Sequence, residues 1–427
     1  MSRCLVLLLV ASSLIWGEAV FAQPIEIDFW GVWGGQSFEI EQGVIAEFNR
    51  LYEGRIKVTG VEVPEGADAK LAAAVAGGAP PAVIKINRPF MGEYAAKGLL
   101  QVLDDLIARD NYDVDAHYPA TRGETIFEGK TYAIPWNTDN RGMYYHVGLF
   151  EEAGLDANTP PRTWEEVNEA ARKLDRWDAT GALSQVAFAP HWGNWYFVGW
   201  LWAAGGSLLD ESNRRVTWND EAGVKALTWM KERLDIYGGA AAFDQFLSQV
   251  AGGVFTGRKV AMVMDGSWTL GGLREQGLES EFRMAFPPRP AGLEETPVTW
   301  SGGFALAIPT GVNGAAREAA WEFIKFYSGH DAQVILGSRT GQIPTLRSAA
   351  SSDEFLGSAP QMDVFVQLMQ HSRWLPAIPN GAEMWGLYTD QIHSLLAAGE
   401  MPVVQILNET ARIGQARLDE AWARLGN

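Results

Sequence analysis

Ile25-Glu26-Ile27-Asp28-Phe29-Trp30-Gly31-Val32-Trp33 reads as a strand, with apolar side chains recurring at a period of two. Gly34-Gly35 then turns the chain into Phe38, Val44, Ile45 and Phe48, which share one face of a helix ending near Leu51. The rhythm repeats. A second strand is predicted over Arg55 to Val63, and a helix over Asp68 to Ala76 is stopped by Gly77-Gly78. A strand over Val83 to Ile86 follows the breaker Ala79-Pro80-Pro81, and a helix runs from Phe90 to Lys97. Strand and helix alternating in this way predict βαβ units around a parallel sheet, hence an α/β fold.

Farther along, Thr163 with Glu166 three residues later forms a capping box at the start of a helix. Helices are predicted over Glu221 to Tyr237 and Ala315 to Tyr327, strands over Lys259 to Met264 and Phe304 to Ile308, and mainly helix over the last ninety or so residues. There is no internal repeat, low-complexity tract or long linker, so a domain boundary must be a short crossing. Two stretches suit one: Pro135-Trp136-Asn137-Thr138-Asp139-Asn140 and the stiff Phe286-Pro287-Pro288-Arg289-Pro290-Ala291-Gly292. Composition alone favours ordinary surface loops for both, because loops rich in Pro and Asn are commonplace.

The length of 427 residues suggests two or three domains at about 150 residues each. With 47% hydrophobic and 20% charged residues, the chain has the profile of a folded globular protein. Its 34 Lys and Arg against 52 Asp and Glu leave a net charge of -18. That balance argues against a nucleic-acid binder, which must displace phosphate counterions with cations, and against attraction to anionic membranes. At the front, Arg3, the apolar run Cys4 to Ile15 and Val20-Phe21-Ala22 read as a secretory signal peptide over residues 1–22. An apolar run of about a dozen residues is too short to span a bilayer. The expected mature chain starts near Gln23, is exported to the periplasm and keeps the same net charge, because Arg3 and Glu18 leave together. Cys4, the sole cysteine, leaves with them, which removes any disulfide, thiolate nucleophile or cysteine metal site.

Catalytic constellations are missing from the sequence. The six histidines are scattered without metal-ligand spacing, and there is no nucleophile elbow, P-loop or dinucleotide fingerprint. No metal and no cofactor is expected. Tryptophan is more informative, because seventeen of the eighteen lie beyond residue 22. Trp30, Trp33, Trp136, Trp192, Trp195, Trp268, Trp300, Trp374 and Trp385 stand beside glycines, prolines or polar residues. Trp164, Trp229, Trp321 and Trp422 fall in helical patterns, and Trp200 with Trp202 in a buried helix. Indoles on loops beside amides and carboxylates suit neutral sugars, whose C–H faces stack on the ring while the polar groups take the hydroxyls. Such indoles can equally cap a core, and Trp30, alternating with Phe29, fits the core better.

Several segments, in order, carry a resemblance: the first strand and helix ending Glu47-Phe48-Asn49; Gly77-Gly78-Ala79-Pro80-Pro81-Ala82-Val83; Gly129-Lys130-Thr131-Tyr132-Ala133-Ile134-Pro135; Gly142-Met143-Tyr144-Tyr145-His146-Val147-Gly148-Leu149-Phe150-Glu151-Glu152-Ala153-Gly154-Leu155; Pro161 to Glu166; Phe255 to Met262 with Gly266-Ser267-Trp268; and Gly302 to Ile308. In this order and spacing they resemble the extracellular solute-binding proteins of bacterial ABC importers, in the carbohydrate-binding family that includes maltose-binding protein. Ala82 departs from the Asp usual in that family, and Lys85 to Arg88 is more polar than the family's segment.

The resemblance implies a two-lobed periplasmic-binding-protein fold with three hinge crossings and a ligand cleft between the lobes. Lobe one would comprise about 23–136 and 288–340, and lobe two about 137–287 and 341–427. It implies a monomeric, non-enzymatic receptor that closes on a mono- to oligosaccharide or charged sugar derivative and hands it to the permease subunits. Site residues carried over are Trp268 and Trp385 as stacking rings, and Asn137 and Asp139 at the first crossing. Trp33, Gly35 and Gln36 follow the first strand, Asn87 and Arg88 follow the third, and Trp300 and Gly303 follow the second crossing. Trp192, Asn194, Trp195, Arg373 and Trp374 are further candidates on loops. Arg88, Arg141, Arg339 and Arg373 leave room for an anionic group on the ligand. Two other readings stay open on the residues themselves: a secreted glycoside hydrolase with paired carboxylates in the same aromatic cleft, and a surface carbohydrate-binding module that does not close.

Overall fold

Two five-stranded sheets organise the described residues of the computed structural model, which are 23–31, 35–63, 67–192, 194–250, 253–359 and 361–426. The predicted leader and Trp33 lie outside them. In the first sheet, Ile25–Gly31 is flanked by Ile56–Glu62 and Val83–Asn87, both parallel to it; Phe304–Ala307 and Ala133–Pro135 complete the row. In the second sheet the order is Phe282–Ala285, Arg141–His146, Val260–Gly266, Leu183–Ala189 and Arg176–Trp177.

The expected parallel sheet is corrected in part. Phe304–Ala307 runs antiparallel to both of its neighbours, and so does Arg141–His146. Each is a strand by which the chain enters from the other lobe. It has no crossover helix of its own, so the βαβ rule that enforces parallel pairing does not apply to it. The strand and helix placements otherwise follow the hydrophobic periods, as at Gly314–Tyr327 and Glu221–Ile236. The capping box forms: Glu166 N–H donates to Thr163 Oγ1 at 3.0 Å, and Thr163 N–H to the Glu166 carboxylate at 3.1 Å.

Each lobe has an aromatic centre. In the first, Phe29 and Phe48 meet Phe323 with ring centroids 5.2 Å apart, sealing the sheet against helices Gly35–Leu51 and Gly314–Tyr327. In the second, Trp229 stacks on Trp164 at 4.6 Å and meets Trp200 edge-on at 4.7 Å. Trp136 and Trp195 belong to cores as well, 1% and 0% exposed, although their sequence neighbours look like loops. A Cβ on Gly199 would meet the Trp195 ring at 2.4 Å, so the glycine makes room for the indole. No helix among the described residues is long and apolar enough to cross a membrane.

Candidate functional site

The chain passes between the sheets three times. Asn137–Thr138 leaves the first sheet for the second, 286–303 returns, and Ile343–Pro344 lies antiparallel to Asn137–Thr138. Strand ends of both lobes face each other here, the place where open α/β sheets bind ligands. A cleft of about 360 Å³ fills this gap, lined by Asn87, Asp139, Trp268, Trp300, Gly303 and Trp385, with Pro89, Phe90, Arg141, Asn194, Gly302 and Phe304 completing the wall.

Local structure aims each group. Asn87 ends its strand, and Trp268 opens the helix Trp268–Glu275 directly after strand Val260–Gly266. The Trp268 ring folds back over the strand end because residue 266 is glycine: a Cβ there would lie 2.1 Å from the indole. Trp300 pairs with Arg373 in a short parallel ribbon, and Trp385, on helix Gly381–Gly386, meets its ring at 5.0 Å. Gly303 takes φ +117, where a Cβ would strike the Asn137 carbonyl at 2.7 Å.

Arg141, noted in the sequence only as a possible anion partner, organises the cleft. Its guanidinium lies 4.0 Å from the Trp300 ring centroid and 5.1 Å from that of Trp268, and is ion-paired with Asp139. Asp139 also accepts the Gly302 N–H at 3.0 Å. A carboxylate held by a guanidinium and a backbone N–H still has lone pairs for hydroxyls, and the two charges cancel within the cleft wall. Pro89 and Phe90 were missed by sequence reasoning. The available signal was position: both follow directly on a strand end.

Other predicted contacts are redirected. Arg88 is 1% exposed, and its Nε donates to the buried Glu124 at 2.9 Å, so it binds the crossings and not a ligand. Burial pushes Glu124 up to about 7, with Arg88 pulling the other way. Asn137 is 2% exposed: its Oδ1 accepts Phe304 N–H at 2.7 Å and its Nδ2 donates to Gln342, which locks the crossings together. Arg373 donates to the Gly206 carbonyl and Ser207 Oγ under the ring of Trp202. It lines, with Trp374, a separate hollow of about 600 Å³. Trp192 bridges to Trp195 outside the cleft lining. Gly35 and Gln36 open their helix, but their side chains, like Trp33, lie outside what is described. Among the described residues no group of three or more His, Cys, Asp or Glu is placed to hold a metal ion.

Comparison with known proteins fits this architecture. The maltotriose-binding protein of Pyrococcus abyssi is 24% identical over 310 residues, 72% of this chain, and the match spans less than two thirds of that protein, 64%. The sn-glycerol-3-phosphate-binding periplasmic protein UgpB of Brucella melitensis is 26% identical over 365 residues, covering 79% of this chain and 78% of that one. These relatives are binding proteins by name. Among solved structures, mannotriose-bound CpMnBP1 superposes with a TM-score of 0.78 at 22% identity, over 91% of this chain and all of that one. Maltose-bound MalE3 of T. maritima gives 0.75 at 21%, over 92% and 100%. The two-lobed fold is therefore shared. The sequence pattern of the bacterial extracellular solute-binding proteins matches residues 34–334, and this chain belongs to that family.

Proposed function

We propose that the protein is the substrate-binding component of an ABC importer, which captures a sugar or sugar derivative between its lobes and delivers it to the membrane permease. The observation that carries this reading is the convergence of Trp268, Trp300 and Trp385 with Asp139 and Asn87 in one cleft at the strand ends. Flat rings take the C–H faces of a pyranose, while Asp139 and Asn87 take its hydroxyls. The names of relatives that bind maltotriose, and of neighbours solved with mannotriose or maltose, support it.

The lobes are divided at about 136/137, 287/288 and 340/341. In support, the first sheet's strand ends at Pro135 and the second sheet's strand opens at Arg141. Closure about these crossings encloses the ligand. The protein acts as an exported monomer, directed by residues 1–22, with no catalysis and no cofactor of its own.

Titration calorimetry and thermal shift against a sugar panel that includes maltotriose and mannotriose test the reading. If the ligand binds only the folded chain, stability rises by about 2.7 kcal/mol at 100 times the dissociation constant. The ligand should be recovered intact; released products would indicate a hydrolase, and a panel without any binder would defeat the reading. A second reading, a phosphate-bearing polyol, is favoured by Arg141 in the cleft wall and by the Brucella relative. sn-Glycerol-3-phosphate therefore belongs in the panel.

A further inference from the structure

Arg88 leaves the end of strand Val83–Asn87 and enters the space between the crossings. Its Nη2 donates to Thr138 Oγ1 and Ser301 Oγ, each at 3.2 Å, and to the Gly302 carbonyl. Its Nη1 donates to the Asn137 carbonyl and lies 3.5 Å from that of Phe304. Nε donates to one oxygen of Glu124, whose other oxygen accepts Leu375 N–H at 3.3 Å. Both side chains are fully buried. One guanidinium thus holds backbone carbonyls from the first and second crossings. It reaches the third through Asn137, whose amide donates to Gln342 at 3.3 Å, and the C-terminal part through Glu124.

Buried carbonyls need partners, and a buried ion pair is better attested as a device that fixes one arrangement than as a source of stability. Rotation of the lobes changes backbone dihedrals in just these segments. The crossings cannot turn independently while they share one planar donor.

We propose that the Arg88–Glu124 pair is a positioning element that sets the closure equilibrium, holding the crossings in the arrangement from which the cleft closes, without touching ligand. The proposal rests on the reading that the protein closes on a ligand. In its absence the crossings would sample a wider range of angles. Apparent affinity falls by the same factor as the competent fraction.

The test labels the chain from Gln23 onward, which has no cysteine of its own, at two exposed sites, one in each lobe, with Glu53→Cys and Glu232→Cys, and measures the interlobe distance distribution by pulsed electron resonance. The hinge variants are Glu124→Gln, which keeps shape and can still accept Leu375 N–H, the pair Thr138→Val with Ser301→Ala, and Arg88→Met. Folded hinge variants are expected to broaden the ligand-free distribution and to raise the maltotriose Kd on the order of tenfold, with the cleft rings untouched. Should Arg88→Met not fold, the other two decide. Parental distributions in both of them would overturn the proposal, even if the melting temperature drops, because a merely structural pair lowers stability without moving the lobes. If the parent binds no maltotriose, the sugar reading suffers alone, and the ligand-free distributions still decide the hinge.

Discussion

Trp268→Ala is the sharpest test of the cleft. The indole is half-buried, lies over the strand end made accessible by Gly266, and shares the Arg141 guanidinium with Trp300. Truncation removes a cation–π contact of about 0.5 to 1 kcal/mol at a partly exposed site, and little core, so the fold should survive with a small drop in melting temperature. Against a ligand, the loss is larger. An aromatic anchor in a desolvated centre typically costs about 2 kcal/mol or more, roughly thirtyfold in Kd. Trp268→Phe keeps a flat face and loses only area and the indole N–H, so it should fall between parent and Ala. Calorimetric titration of the three proteins with the best sugar of the panel, beside their unfolding curves, separates binding from stability. If Trp268→Ala binds like the parent, the cleft is misplaced even though the family is right. If it fails to fold, the ring is core and the argument from Gly266 fails.

Trp321→Ala is the opposite case: the ring is fully buried and its Nε1 donates to Asp110 at 2.8 Å, so unfolding free energy should drop by about 3 to 5 kcal/mol while the folded fraction binds as before. Asp139→Asn removes the charge that faces Arg141; a neutral sugar should then bind more weakly by about 1.5 to 3 kcal/mol, whereas a phosphate ligand should bind more tightly, and calorimetry with each reads the sign. His117 is pushed down to about 3, chiefly by burial and further by Arg88 and Arg347, while the Tyr112 and Thr345 hydroxyls flank its ring nitrogens. A depressed histidine favours protonation of the unfolded chain, so its stability contribution is whole above about pH 6.5 and is lost by about 1.4 kcal/mol per unit as pH falls toward 3. Urea unfolding from neutral to acid pH should show that slope, and a His117→Gln variant that leaves the slope unchanged would remove His117 as its source.

How much of this was legible in the sequence depends on how local the cause is. The Thr163–Glu166 capping box needs four residues and formed as read. The strand Ile25–Gly31, read as running on to Trp33 outside the described residues, and the helix ending at Leu51 follow from periods of two and of about three and a half. Trp268 stands two residues after a strand end, so its place at the cleft is written in its neighbours. Arg88 stands at a strand end too, and the same logic aimed it at a ligand. Its destination is decided by acceptors up to 216 positions away, brought beside it when three crossings come together, and no local pattern encodes that. Strand direction fails for the same reason: Phe304–Ala307 is antiparallel because of where the chain comes from, not because of what it contains. Trp195 looks like a loop residue beside Asn194, yet Gly199, four residues on, opens the pocket that buries it. The pattern in these misses is physical. Composition can say that a side chain is able to stack, donate or accept; which partner it meets is set by long-range closure, and two of the groups read wrongly, Arg88 and Asn137, hold that closure together.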